Sequence, residues 1–118
     1  MKTKSIFFLM LIIGFSASLS SCKKNKTGDL KVNVVDGLGN PLGSGKTVYL
    51  YFGQSNFNNA SYTESAVTND AGQVSFFELT PGDYYADCDW QNQLGGNVTS
   101  EGSGTVEAKN ITTITIAP

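Results

Sequence analysis

Beyond residue 28 the chain alternates apolar and polar residues in short runs, and no apolar period near 3.6 persists for ten residues. Leu30, Val32 and Val34 alternate with Lys31, Asn33 and Val35, which predicts a first strand with one buried face. Asp36-Gly37-Leu38-Gly39-Asn40-Pro41 is dense in turn formers and reverses the chain. The run from Lys46 to Gly53 predicts a second strand, with Val48, Leu50 and Phe52 on one side and Thr47, Tyr49 and Tyr51 on the other. Gln54 to Asn59 reads as a polar loop containing Phe57, and Ala60 to Thr68 alternates weakly, as an edge strand would.

The segment Thr68–Tyr85 packs turn, strand, turn and strand into one stretch. Asn69-Asp70-Ala71-Gly72 predicts an Asx-type turn, with Gly72 free to take positive φ. Val74 and Phe76 alternate with Gln73 and Ser75, and Pro81-Gly82 turns the chain again after Leu79. In the next strand Tyr84, Ala86, Cys88 and Trp90 share the inner face, while Tyr85, Asp87 and Asp89 share the outer one. The glycine-rich Gln91–Gly104 predicts a long mobile loop with a short strand near Val98. Thr105–Lys109 and Ile111–Ala117 then predict two strands joined by a tight turn at Lys109-Asn110. About seven short strands at this spacing point to an all-β sandwich of two antiparallel sheets.

Composition adds an address. Residues 1–21 begin with Lys2 and Lys4, continue through an apolar run from Ile6 to Phe15, and end in small residues. That order predicts a secretory signal peptide, too short to span a bilayer comfortably, where about 20 apolar residues are needed. Leu19-Ser20-Ser21-Cys22 resembles a bacterial lipobox, which implies acylation of Cys22 and a membrane anchor through it. The expected organisation is a lipoprotein signal peptide over 1–21, a lipidated linker over 22–28 and a β-sandwich domain over 29–118. The lysine after Cys22 favours the outer membrane, on its periplasmic face or at the cell surface. With Cys22 acylated, Cys88 is the remaining thiol and no intramolecular disulfide forms.

Charge then excludes one class of partner. From Asp29 onward the chain carries Lys31, Lys46 and Lys109 against all ten acids, a net −7 with no arginine. Nucleic acid requires a basic footprint that this body lacks. Lys23, Lys24 and Lys26 crowd the linker, as a solvated tether or as a contact to anionic head groups.

Val32-Asn33-Val34-Val35-Asp36, Gly39-Asn40-Pro41-Leu42 and Val48-Tyr49-Leu50 are similar to the opening of carboxypeptidase regulatory-like domains. Thr68 to Phe76 and Leu79 to Tyr84 match the central pattern of the same family. The resemblance implies a seven-stranded Greek-key sandwich of the transthyretin (prealbumin-like) type, serving as an accessory or binding module. The related collagen-adhesin B-type domains lock themselves with a Lys–Asn isopeptide whose lysine precedes the turn aspartate. Here that region reads Val34-Val35-Asp36, and Lys31 lies too early and on the outward face.

Catalytic signals are weak. The chain has no histidine, so Ser-His and Cys-His pairs are excluded. Asn40 stands where a phosphate-binding loop ending in Gly45-Lys46-Thr47 needs its first glycine, and a strand follows where a helix should. Asp87, Asp89 and Glu78 would serve acid–base work only if they converged in one cleft. No cofactor or metal is expected. Tyr49, Tyr51, Phe77 and Tyr85 remain as a candidate ligand-binding surface, since outward rings stack on sugars or anchor partners. The same rings would stabilise cross-strand pairs by about 0.2–1 kcal/mol each with no ligand at all. The expected function is a non-catalytic binding or adhesion module for a polysaccharide or a protein, with a structural subunit of an envelope complex as the alternative.

Overall fold

The computed structural model describes residues 26–118; the expected signal peptide and the lipidated Cys22 lie outside the described residues. Seven strands and one short helix follow in order: β1 (Gly28–Val34), β2 (Thr47–Phe52), α1 (Gly53–Asn58), β3 (Glu64–Val67), β4 (Gln73–Leu79), β5 (Gly82–Gln91), β6 (Asn97–Val106) and β7 (Ile111–Ile116). They form a three-stranded sheet in the order β4-β1-β7 and a four-stranded sheet in the order β3-β2-β5-β6. The expected all-β sandwich is present, with Glu64–Val67 as the expected edge strand.

The sheets are not wholly antiparallel. β1 and β7 pair in parallel, from Asp29 opposite Ile111 to Val34 opposite Ile116. Each connection reverses the chain, so all odd-numbered strands run the same way. A seventh strand laid beside the first must therefore be parallel to it.

The core is the pair of inner faces. Leu30, Val32, Val34, Val74, Phe76, Leu79 and Ile116 from one sheet meet Val48, Leu50, Tyr84, Ala86, Cys88 and Val106 from the other. Each larger aliphatic side chain contributes about 1.5–3 kcal/mol on burial. The phenol of buried Tyr84 is satisfied by donating to the Thr80 carbonyl at 2.7 Å. An irregularity between Gly28 and Leu30 in the β1–β4 register, with Glu78 at φ 54°, swings Leu79 back onto the inner face. Gly28 belongs to β1 and not to the linker, and a Cβ there would run into the Glu107 carbonyl.

The expected mobile loop over Gln91–Gly104 is corrected most strongly. Only residues 92–96 form a turn, and β6 pairs with β5 over ten positions. Its inward positions are Ser100, Gly102, Gly104 and Val106, which leaves little apolar signal to read. Those glycines make room for the facing strand. A Cβ at Gly104 would lie 2.5 Å from Ile114 Cγ2, and one at Gly102 would lie 3.0 Å from Ile116 Cγ2. The expected hairpin at Lys109-Asn110 is likewise a corner between sheets, because β6 and β7 belong to different ones. Mutual hydrogen bonds between Glu101 and Ala117 tie the two strands along their open edges. Finally, residues 53–58 form a single helical turn and not a loop.

The close approach of β6 and β7 yields a test. Gly104→Ala should lower stability by about 1–3 kcal/mol in urea denaturation, through overpacking. The loss should shrink in an Ile114→Ala background, which removes the clashing methyl; equal losses in both backgrounds would refute the packing argument.

Candidate functional site

Three of the four ring residues expected at a binding surface share the outer face of the four-stranded sheet. Register places Tyr51 beside Tyr85 and Tyr49 beside Asp87. Phe77 stands apart on β4, in the other sheet, and is 66% exposed. The short helix changes what the shared face offers. Gly53, at φ 81°, turns the chain back over the sheet directly after β2, and Asn56 donates to the Phe52 carbonyl at 2.7 Å to hold the turn. Phe57 then lies edge-on to Tyr51 and stacked on Tyr85, with ring centroids 5.2 Å apart in each case. Tyr51, expected to be exposed, is buried by this cover. Tyr49 pairs with Tyr62 at 4.9 Å, and Tyr62 remains largely open.

Acids complete that face. The Tyr51 hydroxyl lies 3.1 and 3.2 Å from the two carboxylate oxygens of Asp87 and donates to that group. Asp89 accepts from Thr99 and Asp83 from Thr105 across the β5–β6 pair. Burial pushes the Asp87 carboxyl up, the Tyr51 bond draws it down, and neighbouring Asp89 and Glu101 push it up again. Burial, followed by the Asp87 charge, pushes the Tyr51 phenol up to about 12. Tyr51 and Asp87 are thus committed to each other.

Glu78 lies on β4 of the other sheet, so it does not join Asp87 and Asp89. Cys88 is fully buried, and burial first, with Asp89 second, pushes its thiol up to about 11, away from the reactive thiolate. Among the described residues no group of three His, Cys, Asp or Glu side chains gathers as a metal ligand set.

A concave feature among the described residues was missed in the sequence. The β1–β2 loop and the β5–β6 turn enclose a cleft of about 640 Å³, within the range of small-molecule sites. The Trp90 indole lines it and donates Nε1–H to Ser100 Oγ at 3.0 Å, and Ser100 in turn donates to the Val35 carbonyl at 2.9 Å. Leu38 and Leu94 flank the opening at 88% and 96% exposure. Buried Thr68 clamps the loop, accepting from Lys46 N–H and donating to the Gly43 carbonyl. The signal available in the sequence was a leucine at the tip of each of two polar, glycine-containing turns. Strand direction sets the cleft at the end of the sandwich where β1 finishes, about 20 Å from Gly28 along that strand.

No family model matches the chain, and no curated protein matches it. Solved structures do. A candidate carbohydrate-binding protein from Pseudomonas aeruginosa superposes with a TM-score of 0.58 at 16% identity, over 80% of this chain and 90% of that one. The minor pilin GBS52 of Streptococcus agalactiae gives 0.52 at 21% identity, over 78% of this chain and 44% of the pilin. The major pilin subunit BcpA of Bacillus cereus gives 0.51 at 16%, over 78% and 29%. The likeness is one of fold. It spans nearly all of the first protein and less than half of each pilin.

The Tyr51–Asp87 contact can be titrated. Phenolate absorbance, compared between wild type and Tyr51→Phe, should show Tyr51 ionising near 12 and not near its ordinary 10. Because its pKa is raised on folding, its contribution to stability holds below pH 10 and is lost between 10 and about 12. Tyr51→Phe removes the one contact that favours ionised Asp87. It should cost about 1 kcal/mol at neutral pH, discounted for partial exposure, and less in acid once Asp87 is protonated. A pH-independent loss would show that the hydroxyl does not act through Asp87.

Proposed function

We propose that this chain is a lipid-anchored, non-catalytic binding module of the cell envelope, held to the outer membrane through Cys22 and presenting its ligand site at the far end of the sandwich. One observation carries the reading. The chain enters the domain at Gly28 at one end, and the cleft around Trp90 opens at the other. A module tethered by its N-terminus would hold that cleft away from the membrane, towards a polysaccharide or a protein partner. The fold shared with a candidate carbohydrate-binding protein and with pilins supports the same class of role. The lack of histidine, the buried Cys88 and the separation of Glu78 from Asp87 and Asp89 support a role without catalysis.

The outer tyrosine face is the weaker candidate for the ligand site. Its two central rings are covered by Phe57, one edge-on and one stacked, so α1 occupies the surface a sugar would need. The transthyretin-like Greek-key assignment belongs to the same proposal, supported by the arrangement of three and four strands.

A second reading, a structural subunit of an envelope assembly, rests on the short edge strand β3, whose Val67 is 60% exposed. Crosslinking in intact cells separates the two: trapped oligomers through β3 favour the subunit, monomer alone removes it.

Two measurements test the main reading. Cys22→Ala should move the chain from the membrane fraction to the soluble envelope fraction, and retention on the membrane would remove the anchor. The detergent-solubilised chain should also retain a polysaccharide on a glycan array or an envelope protein in a pull-down, and silence in both assays would remove the binding role.

A further inference from the structure

The loops that form the cleft are copies of one design. In the first, Asp36 Oδ1 accepts from the N–H groups of Leu38 and Asn40 at 2.9 and 3.0 Å, and Asp36 N–H donates to the Asn40 carbonyl. In the second, Asn92 Oδ1 accepts from Leu94 and Gly96 at 3.0 and 2.8 Å, and Asn92 N–H donates to the Gly96 carbonyl. Each loop has a glycine at its fourth position, Gly39 at φ 85° and Gly95 at φ 80°. A third copy, Asn69 to Gln73, makes the same bonds at the same end but carries Ala71 at its tip. The two copies at the cleft both carry leucine there.

Folding does not require those leucines, because both project into solvent. With Gly39 N–H donating to the Asp36 carbonyl and Gly95 N–H to the Asn92 carbonyl, each loop is held by four hydrogen bonds, so the tips are fixed before anything binds. Preorganisation of this kind lowers the ordering cost of association.

The remaining lining selects the ligand. The side-chain amides of Asn40 and Gln93 make no hydrogen bond among the described residues. A purely aliphatic ligand would strip water from them and leave them unpaired, which is costly, whereas a hydroxyl-rich one would satisfy them. The cleft holds one carboxylate, Asp36, and one ammonium, Lys46, so its own charge is balanced. The body around it is acidic and repels polyanions. A ligand that fits this lining is hydroxyl-rich, uncharged and apolar on part of its surface.

Resting on the proposed binding role of the far end, we infer that the cleft takes a neutral sugar unit of a polysaccharide, packed against Trp90 between Leu38 and Leu94, with its hydroxyls on Asn40 and Gln93.

Trp90 is the single tryptophan of the chain and so reports on the cleft directly. The detergent-solubilised full chain would be titrated with maltotriose, cellotriose and triacetylchitotriose as neutral probes, and with trigalacturonate as an acidic one. At least one neutral trisaccharide should move Trp90 emission to shorter wavelength at millimolar concentration or below. The double variant Leu38→Asp with Leu94→Asp should weaken that binding at least about tenfold, as should Asn40→Ala with Gln93→Ala. Unchanged thermal unfolding would show that the variants fold, as expected for exposed positions. Binding of trigalacturonate alone overturns the inference. So does sugar binding that leaves Trp90 emission unmoved and ignores both variants, although the binding role would then stand at another surface. Capture of an envelope protein by the wild type and not by the leucine variant, with no trisaccharide bound, replaces sugar with protein and keeps the binding role. Failure of all of these removes both.

Discussion

The close contact between β6 and β7 is the constraint on which the sandwich depends. Two sheets of three and four strands have their edges near one another, and on one side the gap is closed by Ile114 and Ile116 lying over Gly104 and Gly102. Without the glycines the isoleucines would stand off, and β7 would lose its seat beside β1. With β7 in place, Val35 N–H reaches the Ile116 carbonyl and Ser100 reaches the Val35 carbonyl. Those bonds fix the start of the β1–β2 loop against Trp90. The geometry of the cleft is thus set by packing on the strand behind it.

The strands with strong alternation were legible. Leu30 to Val34, Val48 to Leu50, Val74 to Phe76 and Tyr84 to Cys88 all face inward as their period requires. The second half of β6 was not legible, because a strand that admits a neighbour through missing side chains has no apolar pattern to show. Sheet membership of β6 and β7 was equally hidden, since a short polar connection serves a hairpin and a corner alike. Parallel pairing of β1 with β7 followed only once the neighbours were known.

The site was legible in part. Parity placed Tyr49, Tyr51 and Tyr85 on outward faces, and strand pairing makes those one face; parity describes direction and not cover, and Phe57 supplies the cover. Phe77 obeys the same parity on the opposite sheet, which a period of two has no means of distinguishing. Trp90 carried the opposite ambiguity. It continues the inner face of β5, yet it sits at the strand's end, where the core stops and the cleft begins. Exposed leucines on polar turns were a local inconsistency, and such inconsistencies gather at functional surfaces.

The parallel seat of β7 also bears on when the domain can form. β1 is the first strand made and the centre of its sheet, yet both of its partners come later, β4 after Gln73 and β7 after Ile111. Contacts between such distant parts of the chain make folding slow. A growing chain that lacks its final residues holds β1 with one edge bare and the core open beside Gly102 and Gly104. That order of assembly keeps the sandwich unfinished, with β1 half-paired, until its last strand is made.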